Sequence, residues 1–322
     1  MITAINNNRP QSNISFKSYF ACNPVTHLPA STSFFEDLPT LKKAVSLIEK
    51  NFPSGTDILV YAGSNGEEAI SILSLLRNPD KFNIYSIDPL KKAIEYAKNG
   101  FFSVHVFAND AFLINNKLTT DAEKKAAKGF AKHLREIERP RFDLNNIPEE
   151  FRALERENPY FTFERFYQLK PFARNRIQFI EGDIRDIGEF KAKRPVGAIF
   201  FRNALYHLTD NDLVRVFREG YKPNTEVNRY EILKVLANDV DKKLAPNGIF
   251  VLGNRAQEHF YIADKYTPKT RQVDIKGIPI RLDPLLDTVL KETGHFESSY
   301  MQEVTFLNGT SLERSLIWQK NK

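Results

Sequence analysis

From Thr40 onward, short apolar runs alternate with stretches whose apolar residues recur at helical spacing. LPTLKKAVSLIEKNF (38–52) has apolar residues at 41, 44, 45, 47 and 48, the stripe of an amphipathic helix. DILVYAG (57–63) reads as a buried strand, and EEAISILSLLRN (67–78) as a helix entered directly from the turn. FNIYSID (82–88) reads as a second strand. PLKKAIEYAKNG (89–100) follows as a helix, with proline near its start and glycine at its end. Strand and helix alternating through tight turns predict a parallel sheet covered on both faces.

Residues 101–176 interrupt this rhythm with the charged DAEKKAAKGFAKHLREIERPRF and the aromatic-rich NPYFTFERFYQL. We expect helices and irregular structure there, an insertion at about 103–170 over one edge or the top of the sheet. The rhythm resumes with strands in RIQFIEGDIRDI (176–187) and PVGAIFFRNALYHL (195–208), then a helix in DNDLVRVFREG (210–220). KLAPNGIFVLGNRA (243–256) enters a strand from a Pro-Asn-Gly turn. DPLLDTVLKETGHFESSYMQEVTFLNG (283–309) reads as helix, glycine stop and strand, and ERSLIWQK (313–320) as a closing strand paired antiparallel. About seven strands result. They predict an α/β fold with one doubly wound, mostly parallel seven-stranded sheet. Residues 31–322 then form a single domain after a flexible lead-in, 1–30, rich in Asn, Ser and Pro.

Composition narrows the class without naming a function. The 322 residues are 42% hydrophobic and 27% charged, enough apolar mass for a large core. The single cysteine, Cys22, has no internal partner, and the amino terminus lacks the apolar middle of a signal peptide. The expectation is a cytoplasmic protein without a membrane span. A net charge of +6 permits an acidic partner. Acids balance the bases of the 121–157 segment, which disfavours a nucleic-acid track.

The chemistry gathers at the ends of the strands. Ala62-Gly63-Ser64-Asn65-Gly66 is a turn between strand and helix, where backbone N–H groups and the positive helix end face a ligand. Its Gly-x-x-Gly is short of the Gly-x-Gly-x-x-Gly that holds a pyrophosphate. Glu67 and Glu68 follow at once and would repel a pyrophosphate, but suit an amino-bearing or cationic ligand. Asp88, beside Pro89 at the end of the second strand, is 25 residues past Gly63 and placed for ribose hydroxyls. Asp183 follows the third strand and can reach an adenine edge. Ribose, adenine and a cationic amino acid together describe S-adenosylmethionine.

These residues resemble the catalytic domain of the chemotaxis receptor methyltransferases, the CheR family, as a divergent member. The resemblance rests on TSFFED (32–37), AGSNGEEAISI (62–72), YSIDPLKKAIEYAKNGFF (85–102), FFRNALYHL (200–208) and LAPNGIFVLG (244–253). It implies a Rossmann-like fold of the class I S-adenosylmethionine-dependent methyltransferases. It implies Thr32, Ala62, Gly63, Ser64, Gly66 and Glu67 at the cofactor, Glu67 near the methionine amino group. Asp88 and Pro89 then adjoin the ribose, Asp183 and Ile184 the adenine, and Asn203 and Ala204 the methionine end. Arg202, Tyr206 and His207 stand as catalytic candidates, with no metal called for.

Three departures bear on the acceptor. Glu36 stands where the family has an arginine near the transferred methyl, and an acid there repels a substrate carboxylate. His207 replaces a tyrosine, and residues 101–176 lack the glycine-bearing hairpin that docks receptor tails. The acceptor stays open between a protein carboxylate and a small molecule. The alternatives are a regulatory pseudoenzyme that binds S-adenosylmethionine and a nicotinamide oxidoreductase, the latter disfavoured by the missing third glycine. Plain structural roles also exist: Glu67 as a complement to the helix dipole, Asp88 and Asp183 as caps, Asn203 as a turn residue, Arg202 as the partner of a carboxylate.

Overall fold

The computed structural model describes residues 22–23, 28–29, 33–105, 112–115, 118, 120–138, 163–210, 213, 216, 220–222, 224, 226–255, 259–275, 277–281, 285–305 and 311–321. Its main sheet has seven strands: β1 (Asp57–Tyr61), β2 (Asn83–Asp88), β3 (Ile177–Glu181), β4 (Val196–Phe201), β5 (Leu244–Leu252), β6 (Phe296–Thr305) and β7 (Ser311–Lys320). They lie in the order β6-β7-β5-β4-β1-β2-β3. The first five are parallel to their neighbours, and β7 runs antiparallel between β5 and β6. This is the doubly wound, mostly parallel arrangement that the sequence predicts. The chain leaves β1 toward β2 and β3, then returns to β4 on the other side of β1. The switch point is therefore the crevice between β1 and β4.

Alternation along the strands divides the core between the two faces. Ile58, Val60, Ile84, Phe200, Ile249 and Ile317 point one way, onto α1 (Leu38–Asn51) and α2 (Glu67–Leu75). Leu59, Tyr61, Ile87, Phe201, Phe250 and Trp318 point the other way. They meet helices at Arg229–Lys243 and Leu285–Glu292. Every residue of β1 and β4 is buried, the burial expected of central parallel strands.

Several boundaries differ from expectation. β1 stops at Tyr61 and β4 at Phe201, because Ala62 and Asn203 take left-handed backbone angles, φ 53° and 56°. The 195–208 stretch is thus a strand followed by the short helix Leu205–Thr209, which carries Tyr206 and His207. The expected 210–220 helix lies largely outside the described residues, and Asp210 at φ 50° ends the helix before it. The helix Arg229–Lys243 and a small sheet of Tyr261–Ile262, Gln272–Ile275 and Ile278–Arg281 were not expected.

The insertion is also more regular than expected. Phe101–His105, Phe163–Leu169 and Leu134–Ile137 form a three-stranded antiparallel sheet in that spatial order. Alongside it runs a helix, Asp121–His133, started by a reciprocal Thr120–Glu123 capping box. Phe102, Phe130, Leu134 and Tyr167 share one core with α1 and α2, so the insertion packs on a helical layer.

Candidate active site

The turn after β1 is folded tightly by its own backbone. Gly66 N donates to Gly63 O at 2.8 Å, and Gly63 N to Ile87 O at 3.2 Å, tying the turn to β2. Its glycines serve the protein's own packing. A Cβ on Gly63 would lie 2.4 Å from Ser86 Oγ, and one on Gly66 2.5 Å from the Phe179 ring. Gly66 also needs its positive φ of 97°. Strands β2 and β3 thus take up the space beside both glycines. Ala62 and Ser64 adopt φ 53° and 46°, an unfavourable region for residues with a Cβ.

Asp88 is buried at the tip of β2 with both oxygens engaged. Oδ2 accepts from Ser64 N at 2.9 Å and Oδ1 from Leu90 N at 2.8 Å. Asp88 therefore joins the β1 turn to the start of the next helix, Lys91–Asn99, and it has lone pairs left for ligand hydroxyls. Burial raises its pKa, and the two N–H donors counteract this. Pro89, beside it, is exposed. Asp183 follows β3 and caps the short turn Ile184–Asp186 through Arg185 N at 2.9 Å, while Arg185 Nε approaches the same oxygen at 3.0 Å. Burial would push Asp183 up, but the Arg185 bonds outweigh it and its pKa falls. Ile184 is buried in the core against its neighbours. Asp183 and Asp186 also raise the pKa of Tyr61, after the larger effect of its burial.

On the β4 side, a strap of residues 33–37 crosses the strand ends. Phe34 and Phe35 anchor it in the core, and Phe35 N donates to Ser71 Oγ of α2 at 2.8 Å. Phe35 and Asp37 are both at φ 52°. Arg202, 5% exposed, holds the strap down. Its Nη1 donates to Glu68 Oε2 at 3.0 Å, its Nη2 donates to Glu36 O at 2.9 Å, and Nη2 lies 3.8 Å from Asp37 Oδ2. Both terminal nitrogens of the guanidinium are thus engaged with the wall, a geometry that favours a positioning role for this catalytic candidate. Burial raises the pKa of Glu68, with Arg202 opposing. Thr32 lies outside the described residues.

Glu36 does not stand as a bare acid. Its Oε1 accepts from Asn203 Nδ2 at 3.1 Å and from Arg255 Nη2 at 3.0 Å. A cation is present at this corner after all, supplied by the segment after β5. Asn203 and Ala204 follow β4 directly, and Gly253 makes room for them: a Cβ there would lie 2.1 Å from Asn203 Oδ1 and 2.6 Å from Asn203 N. Tyr206 and His207 pack ring to ring, 4.0 Å between centroids, with Tyr206 buried. Burial lowers the His207 pKa to about 4, so at neutral pH it is an uncharged, weakly basic imidazole. Glu67 is buried in the first turn of α2, beside the Glu68–Arg202 pair.

The structure therefore brings the β1 turn, Glu67, Asp88, Asn203 and Ala204 to one end of adjacent strands, with Asp183 at the β3 tip. Sequence reasoning missed Arg255, Gly253, Ser71 and Asn65. Only Asn65 carried a local signal, a polar residue inside the glycine turn. Among the described residues, no group of three or more His, Cys, Asp or Glu side chains is placed to hold a metal ion, and no helix is long and apolar enough to cross a membrane.

No protein-family model matches the chain, and no curated protein matches it. Solved structures of similar outline exist. The N-methyltransferase NodS from Bradyrhizobium japonicum WM9, in complex with S-adenosyl-L-homocysteine, is 11% identical with a TM-score of 0.37, over 89% of this chain and 91% of that one. Magnesium protoporphyrin IX methyltransferase from Synechocystis PCC 6803 with bound SAM is 10% identical with a TM-score of 0.37, over 88% of this chain and 80% of that one. The bifunctional kinase-methyltransferase WbdD is 10% identical with a TM-score of 0.41, over 91% of this chain and 40% of that one.

Proposed function

We propose that this chain is an S-adenosylmethionine-dependent methyltransferase whose cofactor half is of the chemotaxis receptor type. The observation that carries the reading is the charge at the switch point. Glu36, Asp37, Glu67 and Glu68 gather there against the guanidiniums of Arg202 and Arg255, with Asp88 one strand away. A pyrophosphate would meet this surplus of carboxylates as a repulsive wall. A nucleoside carrying an ammonium and a sulfonium fits it. The cofactor supplies an activated methyl group, so the protein's own task is to bind, align and exclude water.

The residues divide that task. Asp88 has lone pairs available to ribose hydroxyls while it braces the Ser64 turn. Glu67, on the first turn of α2, offers its carboxylate to an ammonium. The strap and Arg202 fix the wall between β1 and β4. His207, neutral above pH 4 through burial, can accept the proton of a hydroxyl or amine acceptor. The pairing of Glu36 with Arg255 leaves a small-molecule acceptor and a protein side chain both open.

A methyl-transfer assay on fractionated lysate tests the reading, run with the parent protein and with His207→Ala. The expected result is transfer by the parent protein, unaffected by His207 ionisation between pH 6 and 8. The variant should lose about a hundredfold or more in turnover, the low end of acid–base contributions, with cofactor affinity retained. Equal turnover in the variant removes His207 from the mechanism. Cofactor binding without transfer in any fraction favours a regulatory protein instead.

A further inference from the structure

The insertion carries a surface that the strand-tip site does not use. Phe172 lies on the short helix Pro171–Arg174, which leads into β3 at the end of the sheet away from the strand tips. It is 37% exposed. Its ring stacks on the imidazole of His133, 15° between planes and 5.7 Å between centroids. The guanidinium carbon of Arg176 lies 5.7 Å from the centre of the same ring. A lone exposed phenylalanine needs no explanation, but this one stands among cations. His133 is buried, and its Nδ1 has no hydrogen-bond partner among the described residues. Its pKa falls to about 4, through burial first and then through the charges of Lys132 and Lys170. Both ammoniums are thus close to the stacked pair, and Lys170 Nζ donates to Ala131 O at 2.7 Å. Arg174, exposed on the same short helix, donates to Asn99 O at 2.6 Å. Among the described residues, Arg176 alone of these cations is paired with a carboxylate, Asp80 at 3.0 Å.

The helix Asp121–His133 extends the charge. Lys124, Lys128 and Lys132 recur every four residues, about 6 Å of rise per step, and all three are exposed. Like charges at this spacing repel and destabilise a helix. Lys124 has Asp121 beside it at 3.3 Å, and Lys132 suits the negative end of the helix, but Lys128 has neither compensation. Helix stability gives no reason for such a ridge, whereas an anion lying along it does. Acids balance these bases along the sequence, but the fold parts them. Asp121 and Glu123 sit in the first turn of the helix, and Glu136 faces Arg165 at 3.7 Å. An acidic peptide would use the cations and leave the ring idle. A polynucleotide uses both: phosphates meet the cations, and a base stacks on an aromatic ring flanked by a guanidinium. A single strand presents such bases, and a duplex keeps them stacked inside.

We propose that the face of Lys128, Lys132, Lys170, Phe172 and Arg176 binds single-stranded nucleic acid, with the cations on backbone phosphates and Phe172 stacking a base. This binding function is separate from the strand-tip site and does not depend on the methyltransferase reading. The net charge of +6 favours the encounter.

The test is fluorescence anisotropy with short labelled oligouridylate and oligothymidylate, with polyglutamate as competitor. It is run on the parent protein, Phe172→Leu, Phe172→Tyr and Lys132→Gln, between about 50 and 200 mM salt. The expected result is saturable binding of at least one oligonucleotide that weakens as salt rises. The salt slope should be about 0.7 smaller in Lys132→Gln, the share of one phosphate contact on a single strand. Phe172→Leu should lose at least about fivefold in affinity, the lower bound of a base–aromatic stack, and Phe172→Tyr should keep it. Leucine retains apolar packing against His133, so a melting temperature near the parent's shows that the loss is not unfolding. Should Phe172→Leu fail to fold, the slope in Lys132→Gln, a change on an exposed side chain, decides. No oligonucleotide binding at low salt, an unchanged affinity in Phe172→Leu, an unchanged slope in Lys132→Gln, or equal displacement by polyglutamate overturns the proposal.

Discussion

Arg202 is the residue on which the β4 side of the site depends. Its guanidinium satisfies Glu68 and the Glu36 carbonyl and sits near Asp37, all away from solvent. Removing one partner of a buried ion pair strands the other's charge, a cost of about 3–5 kcal/mol. Arg202→Met is therefore expected to lose about that much in urea unfolding, and a loss below about 1 kcal/mol would contradict the role assigned to it. At this scale the sequence was partly legible. Asp183 is the cap that was foreseen, a local feature, and Arg202 the foreseen partner of a carboxylate; Asp88, foreseen as a helix cap, instead accepts from Ser64 N and Leu90 N, and helix Lys91–Asn99 has no side-chain cap. Glu36 was read as a repelling acid because its partner Arg255 is 219 positions away, a separation that no local pattern crosses.

At the scale of elements, the insertion's helix Asp121–His133 meets α2 through Gly129. A Cβ on Gly129 would lie 1.8 Å from Ser74 O, so the helices touch backbone to backbone at this point. Alanine at an exposed helix site is worth about 1 kcal/mol over glycine, whereas forcing a methyl into packed backbone costs about 1–3 kcal/mol. Gly129→Ala is expected to lower the urea midpoint, and a raised midpoint would show that the two helices are not in contact. The strands of the doubly wound sheet were legible because central parallel strands are continuous apolar runs. The insertion's strands were not: Phe163–Leu169, FERFYQL, mixes charge with aromatics and gives no clean period. Helix Arg229–Lys243 was legible but unread, since Leu233, Leu236, Ala237 and Val240 carry helical spacing. Strand ends were overrun wherever a residue other than glycine turns left-handed, as at Ala62 and Asn203.

At the scale of the molecule, the sheet's order places the chain reversal between β1 and β4, and the strained residues collect there. Ala62, Ser64, Asn203, Phe35 and Asp37 each hold a left-handed backbone, at about 1–2 kcal/mol apiece. The strap, the β1 turn and the β4 tip are thus held in place by Arg202, Asp88 and Gly253 against their local preference. That arrangement suits a preorganised site better than a stability device.

The central claim is that these acid-lined strand tips hold a sulfonium nucleoside, and one titration tests it most directly. S-adenosylmethionine and NAD are titrated calorimetrically into the parent protein, with Asp88→Ala as the control. The account expects saturable binding of S-adenosylmethionine, none of NAD, and at least about a tenfold loss in the variant, as for the removal of a charge-assisted hydrogen bond. Binding of NAD, or indifference to S-adenosylmethionine at millimolar concentration, would contradict it.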